Sequence, residues 1–574
     1  MSGRPFPAAD REALRRIIES RRDVRRRFLA DPVPDEVMER VLGAAHRAPS
    51  VGLSQPWDFV VVTDVGVRRR VADHVEDMRQ RFAESLSGPR ARRFDRLKVE
   101  AILDAPVNLV VTSTLERGGA RVLGRHVQPQ TATYSTVLAI QNLWLTARAE
   151  GLGVGWVSFY EPAVISSILG LPDHAEPVAY LCVGWVDEFD AAPELALQGW
   201  AAPRPLSWAV HRERWGNRAG ERPFEDACRS VVPLDEEAMA AAAEHQGRLT
   251  KPPGALGELE AIGIRLAGIA RRDPPPPPEP ATVAVFAGDH GVVRSGVTPW
   301  PSEVTRQMVA NFCAGGAAIN VIARQAGAEV VVVDVGVATD LEAAPGLIRR
   351  KVRAGTGDIF TEEAMTRDEA RAALDVGAEV ARELVAAGNR CLITGDMGIG
   401  NSTPSAAVIA RLTGRAAAEI TGRGTGVDDD TLRHKIEVVE QALARTATTV
   451  DAEDALGALA SLGGLEIAAL AGFIVGGAAA GVPVIVDGVI AGAGLIVAAA
   501  LCPPAVGYCF AGHRSTEPGS RAVLDHVGLR PVLELDLRLG EGSGACLALP
   551  ILQAAARILS EMATFDEAGV TDKT

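Results

Sequence analysis

The chain has 574 residues, too many for one hydrophobic core, and 47% of them are hydrophobic, so two or more globular domains are expected. The formal net charge of −14 falls almost entirely after residue 217, which argues against a nucleic-acid partner and suggests two units of different origin. Seven scattered cysteines without a CxxC pair and an N-terminus without an apolar signal region predict a cytoplasmic protein with reduced thiols.

The predicted elements begin with a basic, helix-like segment from Arg11 to Arg27. Its guanidinium groups at Arg21, Arg22 and Arg25 could cradle a phosphate, or they could form a solvated cationic face. A helix and the loop APSVGLSQPW then lead into a predicted strand over 58–62. This arrangement predicts a polar pocket beside a sheet edge.

A second strand is predicted over Val107–Ser113, and a long helix with one apolar face over Tyr134–Glu150. The stretch GLGVGWVS at 151–158 then enters another strand. Its glycines are not a dinucleotide fingerprint, because they follow a helix and precede a strand, the reverse of the required order. This half therefore gives no indication of a nicotinamide dinucleotide site.

Five segments of this half together resemble one known family: RRDVRRRFL, APSVGLSQPW, GGARVLGR, YSTVLAIQNLWLTARAEGLGVGWVS and GLPDHAEPVAYLCVGWVD. They cover nearly all of residues 10–215 and closely resemble the 5,6-dimethylbenzimidazole synthase branch of the nitroreductase-like proteins. The resemblance implies an α+β, FMN-binding domain over residues 1–217. It also implies that reduced FMN is a substrate, fragmented with molecular oxygen as co-substrate to 5,6-dimethylbenzimidazole. An external flavin reductase would then supply the reduced FMN.

The resemblance also implies roles for single residues. The flavin phosphate and ribityl chain would be held by Arg21, Arg22 and Arg25, and the flavin site would be lined by Ser50, Gly52, Gln55 and Gly155. Asp23 would be the proton shuttle at the ribityl carbon, and Ser158 would lie near the reactive flavin face. From the residues alone, Asp23 could equally pair with its neighbouring arginines, and Ser158 could be an ordinary strand residue.

Two other functions stay open for this half. It could be a conventional NAD(P)H-dependent nitroreductase, or it could be a flavin-binding module without chemistry. Steady turnover with intact FMN would indicate the first, and bound flavin that survives reduction and air would indicate the second.

A polar, glycine-containing stretch predicts a linker at 218–227, followed by a second domain over 228–574. Two uncharged runs in that domain, 467–486 and 488–512, are about long enough to span a bilayer. The first run consists mostly of glycine and alanine and contains a proline, and no lysine or arginine flanks either run. No membrane span is therefore predicted. A buried strand over Val482–Val486 between packed helices is expected instead.

The second domain opens with a predicted helix over 236–246, and strands follow over 282–286, 329–335 and 391–394. Asp289 and His290 come directly after the first of these strands, but no further ligand lies at metal spacing, so no metal is predicted. The strand over 391–394 runs into GDMGIGNSTP and a helix over 405–412. Thr403 is expected to cap that helix and Pro404 to be its first residue. Free backbone N–H groups and the helix dipole would make this turn a phosphate site.

Near the C-terminus a lone acid, Glu541, lies in the glycine-rich turn of LRLGEGSGA, ahead of an apolar helix. The carboxylate could be a positioned general base, or it could only complement the helix dipole.

This turn, with LTKPPGALGELE, GDMGIGNSTP, GRGTG and GHRSTEPG, resembles the nicotinate-nucleotide–dimethylbenzimidazole phosphoribosyltransferase family. The match runs in order from about 228 to 565. It implies an α/β parallel-sheet (Rossmann-like) domain with an added helical subdomain. The implied partners are nicotinate mononucleotide and 5,6-dimethylbenzimidazole, and a homodimer or larger homo-oligomer is expected. Tolerance for adenine or another base stays open.

By the same resemblance, Glu541 would take the proton from the attacking base. Asp396 stands where relatives carry glutamate and would keep a polar or electrostatic role. Lys435 would lie near the nicotinate carboxylate, and Trp300 and Met308 are candidates for the benzimidazole pocket. The remaining implied substrate contacts are the phosphate-binding residues Gly398, Gly400, Asn401, Ser402, Thr403 and Gly424.

Overall fold

The computed structural model describes residues 5–86, 88–201, 203, 206, 209–211, 213, 222–451 and 453–571. The chain divides into two compact units, residues 1–202 and 203–574. Residues 218–221 of the predicted linker lie outside the described residues. Residues 223–227 correct the prediction, because they begin a helix whose Phe224 side chain is buried in the core of the second unit.

The described strands of the first unit form a four-stranded antiparallel sheet in the order β1-β2-β4-β3. These strands are β1 (Trp57–Val62), β2 (Val107–Ser113), β3 (Leu152–Val157) and β4 (Glu176–Trp185). Its helices are α1 (Ala8–Ser20), α2 (Asp35–His46), α3 (Val65–Glu84), α4 (Gly88–Phe94), α5 (Thr131–Ala149), α6 (Pro162–Leu169) and α7 (Glu194–Leu197). This is the α+β class that was predicted.

Burial explains where each strand lies. The β2 sequence VNLVVTS is buried along its whole length because β1 and β4 flank it and helices cover it. Helix α1 ends at Ser20, so the prediction of helix through Arg27 is wrong. Residues 21–28 instead form a non-helical segment with a positive φ of 65° at Arg27, and Asp23 makes a bridge to Val154 of the edge strand β3.

The described strands of the second unit form a seven-stranded parallel sheet in the order β11-β10-β9-β8-β5-β6-β7. These strands are β5 (Ala281–Gly288), β6 (Ala328–Gly336), β7 (Leu347–Arg349), β8 (Cys391–Met397), β9 (Val484–Val486), β10 (Cys509–His513) and β11 (Pro531–Leu533). The chain builds outward from β5 to β7 on one side and from β8 to β11 on the other. Ligands of such sheets bind beyond the carboxyl ends of the strands where the direction reverses, here β5 and β8.

The helices of the second unit cover the sheet and extend beyond it. They are α8 (Pro223–Ser230), α9 (Glu236–Arg248), α10 (Glu258–Ala270), α11 (Glu303–Cys313), α12 (Ala318–Ala326), α13 (Arg367–Ala386), α14 (Ser402–Thr413), α15 (Ala417–Ile420), α16 (Asp429–Thr446), α17 (Ala455–Leu462), α18 (Leu465–Ala479), α19 (Val489–Leu501), α20 (Pro518–Val527), α21 (Ser543–Glu561) and α22 (Phe565–Ala568).

The two uncharged runs form α18 and α19 with the short strand β9 between them, and both helices are almost wholly buried. Helix α18 packs backbone to backbone on α13. A Cβ at Gly472 would collide with the carbonyl oxygen of Leu374, and one at Gly377 with that of Ala469. Among the described residues one helix, α21, has the length and apolar character to cross a membrane, and 56% of its apolar window is buried in the unit.

Candidate active sites

The first unit holds the predicted arginine cluster against the free edge of β3, and its members differ in what they bind. The guanidinium of Arg22 makes four hydrogen bonds within the chain. It donates to the carbonyl oxygens of Asp190 (2.9 Å), Ala191 (2.7 Å), Glu19 (2.6 Å) and Arg21 (2.9 Å). Arg22 therefore fixes residues 190–191 against helix α1 and has little capacity left for a ligand.

Arg21 and Arg25 retain more capacity for a ligand. Arg21 stacks over the ring of Trp144, with its guanidinium carbon 4.9 Å from the ring centroid. Arg25 donates to Asp23 at 2.5 Å, and its buried Nε meets no hydrogen-bond partner in the described part of the chain.

Asp23 joins this cluster to β3. Its Oδ1 accepts from the N–H of Trp156 at 2.9 Å, and its Oδ2 accepts from the guanidinium of Arg25. Asp23 therefore forms an ion pair within the arginine cluster and is also an acid held in position by β3. Gly155 permits this approach, because a Cβ there would collide with the carbonyl oxygen of Val24. Ser158 follows the strand and is exposed.

The second predicted group of the first unit, Ser50, Gly52 and Gln55, lies elsewhere. Ser50 Oγ accepts from the N–H of Gln55 at 3.0 Å within a tight turn before β1, which is the opposite edge of the sheet from β3. Helix α5 touches both groups. Its Ser135 accepts from the N–H of Val51 at 3.1 Å, and its Trp144 donates to the carbonyl oxygen of Arg22 at 3.1 Å. Ser135 and Trp144 are nine residues apart, which corresponds to roughly 13 Å along the axis of α5.

The second unit has a cleft with a cavity volume of about 90 Å³ at the carboxyl end of β8, hereafter the β8 cleft. It lies where the direction of the sheet reverses, as expected for a parallel α/β sheet. The sequence-predicted residues that line it are Asp396, Gly398, Gly400, Asn401, Ser402, Gly424 and Lys435.

The N-terminus of α14 opens into this cleft. The helix begins at Ser402 with Asn401 as its N-cap residue, so the predicted start at Pro404 is wrong. Thr403 lies in the first turn and is fully buried, rather than capping the helix. Proline is tolerated in this turn because first-turn N–H groups have no intrahelical acceptor, and those groups give the cleft its anion-binding character.

The side chain of Lys435, on α16, also reaches the N-terminus of α14. Its Nζ donates to Ser402 Oγ at 2.8 Å and to the carbonyl oxygen of Gly422 at 3.1 Å. The side chain is 2% exposed, and burial lowers its pKa to about 8 against the opposing influence of Glu517. A buried ammonium held by neutral groups beside a helix N-terminus is well suited to bind an anion.

The glycine turn at Gly424 is organised differently from the prediction. Its N–H already donates to Glu517 Oε1 at 2.9 Å, and its carbonyl oxygen accepts from Arg538 at 2.8 Å. Glu517 and Arg538 both line the cleft. Sequence reasoning did not assign these two residues, although both lie in the quoted motifs GHRSTEPG and LRLGEGSGA.

Glu541 lies in a turn with Gly540 and Gly542 at its sides, and all three residues have positive φ (82°, 63° and 91° for 540, 541 and 542). Its Oε2 accepts from the N–H of Ile319, in the first turn of α12, at 3.2 Å. The side chain is buried, and this burial, reinforced by the nearby Asp487 and opposed by the Ile319 N–H, raises the pKa of the carboxyl.

Asp396 lies at the end of β8 beside this turn. Its Oδ2 accepts from Asn401 Nδ2 at 3.1 Å. Burial raises its pKa well above the usual range, and the charges of Asp487 and Glu466 add to the effect. Glu541 and Asp396 thus form part of one buried acidic cluster.

Sequence comparison identifies this second unit. Residues 231–570 match the sequence model of a family described as Phosphoribosyltransferase. The nicotinate-nucleotide–dimethylbenzimidazole phosphoribosyltransferase of Salinispora tropica is 57% identical over 358 residues, which are 60% of this chain and 98% of that protein. The chain belongs to the nicotinate-nucleotide–dimethylbenzimidazole phosphoribosyltransferase family.

Two further relatives carry the same name. The Chloroflexus aggregans phosphoribosyltransferase is 53% identical over 343 residues, 60% of this chain and 96% of that protein. The crystal structure of the Thermus thermophilus phosphoribosyltransferase has 47% sequence identity and a TM-score of 0.56, and it covers 59% of this chain and 100% of that one. Residues 18–185 match the Nitroreductase family, so the chain joins a nitroreductase domain to the phosphoribosyltransferase domain.

In this phosphoribosyltransferase domain, Trp300 and Met308 do not line the β8 cleft. Trp300 is half exposed, and Met308, on α11, packs partly buried against the core. The cleft wall nearest to them is formed by Val297 and Thr298.

Further buried polar residues of the phosphoribosyltransferase domain were not assigned from the sequence. His290 Nε2 contacts Glu466 Oε1 at 2.8 Å, and both side chains are buried. The described residues contain no group of three or more potential ligands placed to hold a metal ion. Asp487 accepts two backbone N–H groups of α21, as described below. No local sequence pattern identifies these residues, because they lie far apart along the chain and meet only in the fold.

Proposed function

We propose that residues 231–570 transfer the phosphoribosyl group of nicotinate mononucleotide to 5,6-dimethylbenzimidazole, giving α-ribazole 5′-phosphate and nicotinate. The observation that carries this proposal is the anion-binding end of α14, with Lys435, in a cleft that Asp396 and Gly540 line and that lies next to the buried Glu541. Names of relatives agree with it.

The 5′-phosphate would bind at the first turn of α14, with Ser402 and Lys435 as side-chain donors. This assigns Lys435 to the phosphate rather than to the nicotinate carboxylate, because Lys435 is bonded to Ser402. The Gly424 N–H is engaged by Glu517, so that turn would shape the cleft rather than donate to the phosphate.

In the reaction, the bond from C1′ to the nicotinate nitrogen breaks, and its electron pair neutralises the positive ring. A benzimidazole nitrogen forms the new bond to C1′, and the base loses its N–H proton to Glu541. Ile319 holds one oxygen of Glu541, which leaves Oε1 to take the proton. A raised pKa brings this carboxylate nearer to working pH, which strengthens it as a base. Asp396, whose pKa is raised well above the usual range by burial, would keep a polar role beside the ribose.

We further propose that the nitroreductase domain forms 5,6-dimethylbenzimidazole from reduced FMN and oxygen. The support is the resemblance of its motifs together with the placement of Asp23 and Arg25 at the β3 edge. Arg21 and Arg25 would hold the flavin phosphate and ribityl chain, Arg22 would support them structurally, and Asp23 would move protons at the ribityl carbon.

A homodimer would complete this domain's site. Ser50, Gly52 and Gln55 precede β1, at the opposite edge of the sheet from the Asp23 group, so a second copy could bring the two groups together. The surface around them is unusually apolar for a solvent face, with Leu53, Leu123, Val127, Tyr134 and Leu138 exposed.

One reaction tests both proposals. Pure protein, chemically reduced FMN and nicotinate mononucleotide are mixed in air without added base, and products are followed by mass spectrometry. We expect α-ribazole 5′-phosphate. Glu541→Gln should accumulate 5,6-dimethylbenzimidazole, whereas Asp23→Asn should need added 5,6-dimethylbenzimidazole to give product.

Other outcomes separate the two domains. If product forms only when 5,6-dimethylbenzimidazole is supplied to the unaltered protein, the proposal for the nitroreductase domain fails and that for the transferase stands. Steady NAD(P)H consumption with intact FMN would then indicate a conventional nitroreductase, and bound FMN that survives reduction and air would indicate a flavin-binding module. Absence of product with added base would overturn the transferase proposal.

A further inference from the structure

Asp487 is a buried carboxylate directly after β9, and it holds the turn that carries Glu541. Its Oδ2 accepts from the N–H of Gly542 at 3.2 Å and its Oδ1 from the N–H of Ala545 at 2.8 Å. Gly542 is the N-cap residue of α21 and Ala545 lies in its first turn. Asp487, which follows β9, therefore caps this helix in place of a side chain at the N-cap position itself. Its own N–H donates to Thr394 Oγ1 at 2.9 Å, which ties it to β8.

The turn needs such a support. Glu541 has a φ of 63°, a left-handed conformation that is strained for a residue with a side chain. The bonds to Gly542 and Ala545 fix the backbone immediately after Glu541, and the bond from Ile319 fixes its side chain. Together they leave little freedom for the position of Oε1.

Asp487 also touches His513 at the end of β10. His513 Nε2 lies 3.4 Å from Asp487 Oδ1, and His513 lines the β8 cleft. Neither Asp487 nor Glu541 is among the residues that line the cleft, although their neighbours Gly488 and Gly540 are, and of the two only Asp487 caps helix α21. The carboxylate of Asp487 is therefore placed to influence Glu541 through the start of that helix.

We propose that Asp487 is the positioning residue of the transferase base: it holds the turn 540–542 in its reactive geometry, and its negative charge strengthens Glu541 as a proton acceptor. This inference rests on the proposed function of Glu541. The charge of Asp487 acts in the same direction as burial on the pKa of Glu541, so removing that charge lowers it. The other titratable groups around the turn are Asp396 after β8, Glu466 of α18 in contact with His290, and His513.

The test is Asp487→Asn in the full chain, assayed with nicotinate mononucleotide and 5,6-dimethylbenzimidazole over a range of pH. Asparagine keeps the shape but offers one acceptor oxygen for two N–H groups. We expect kcat to fall roughly 10²-fold, the loss typical of a displacement of about 1 Å. The acid limb of kcat/KM should move to lower pH, and the KM for nicotinate mononucleotide should change little.

Two further variants keep the test decisive. Asp487→Glu retains the charge at the wrong length, so it should lower kcat and leave the acid limb in place. Asp235→Asn is the matched control, because Asp235 caps α9 by accepting from the N–H of Ala238 at 2.9 Å, away from the cleft. It should leave kcat and the acid limb unchanged.

Three results overturn the inference: wild-type kcat in Asp487→Asn, a loss of kcat with an unmoved acid limb, or the same limb shift in Asp235→Asn. Glu541→Gln, assayed alongside, keeps the proposed function separate. If that variant is fully active, the assignment of Glu541 as base fails, whatever Asp487 does.

Discussion

Replacing Lys435 with methionine should weaken nucleotide binding and yet stabilise the folded transferase domain at neutral pH. Lys435 is buried, and its pKa falls from the ordinary 10.5 to about 8. That difference corresponds to on the order of 3 kcal/mol at 1.36 kcal/mol per pH unit, spent in keeping the ammonium charged inside the protein. Methionine fills similar volume without that cost.

The pH dependence follows from the same values. Between pH 8 and 10.5 the unfolded chain binds more protons at Lys435 than the folded chain does, so folding stability rises with pH across this window. Below pH 8 the full cost is present, and there Lys435→Met should raise the free energy of unfolding by up to on the order of 3 kcal/mol. Denaturant titrations at pH 7 and pH 10.5 measure this, and the gain should shrink at the higher pH.

Bound phosphate should reverse the shift of the Lys435 pKa and draw a proton from solvent. Calorimetry with nicotinate mononucleotide at pH 9, in two buffers of different ionisation enthalpy, should show uptake approaching one proton in the unaltered protein and none in Lys435→Met. Lys251 supplies the matched contrast, because it is a buried lysine whose Nζ is paired with Glu260 at 2.8 Å. Lys251→Met should destabilise the fold. Equal binding enthalpies in both buffers, or a destabilised Lys435→Met, would refute this reasoning.

Three further predictions concern other parts of the chain. Glu541→Gln keeps an acceptor for the Ile319 N–H, so it should fold normally and lose roughly 10²- to 10⁴-fold in kcat, and steady-state activity within tenfold of the unaltered protein would contradict its role as base. Burial raises the pKa of Asp375 to about 6, helped by nearby acids and opposed by the Phe224 N–H. Asp375 therefore costs stability as pH rises from about 4 to 6. Asp375→Asn should raise the free energy of unfolding at pH 8 by on the order of 3 kcal/mol and leave it unchanged at pH 3, as denaturant titrations would show. Gly155→Ala should abolish FMN binding in a flavin titration and leave transfer to added base intact. Gly43→Ala, where a Cβ meets nothing within 4 Å, should leave both FMN binding and transfer intact.

The parts that could be predicted from the sequence are local ones. The strand over Val107–Ser113 was located to the residue, because its run of valine, leucine and threonine has high strand propensity. The turn after β8 was also placed at the cleft, since a glycine-rich stretch between a strand and a helix has few other arrangements. The start of α14 was predicted late because Pro404 was given the first helical position. Proline is equally tolerated later in the first turn, and the chain enters the helix at Ser402.

What the sequence could not provide is the assembly of residues from distant elements. His290 and Glu466 are 176 positions apart, and Ile319 and Glu541 are 222 apart, so no local pattern joins them. The arginine cluster shows the same limit at short range. Three neighbouring guanidinium groups look alike in sequence, but only the fold directs Arg22 to four carbonyl oxygens.

The contact between α13 and α18 has a consequence for how this enzyme can vary. Glu466 lies in the first turn of α18, and Gly472 and Gly377 hold that helix against α13 with no side chain between the two backbones. A single methyl group at either glycine cannot be accommodated without displacing one helix, and with it the carboxylate next to Asp396. A displacement of about 1 Å at a reacting centre can cost roughly 10²-fold in rate. These two glycines thus fix the position of the acidic cluster through the contact of α18 with α13, and a substitution at either should impair catalysis as well as folding.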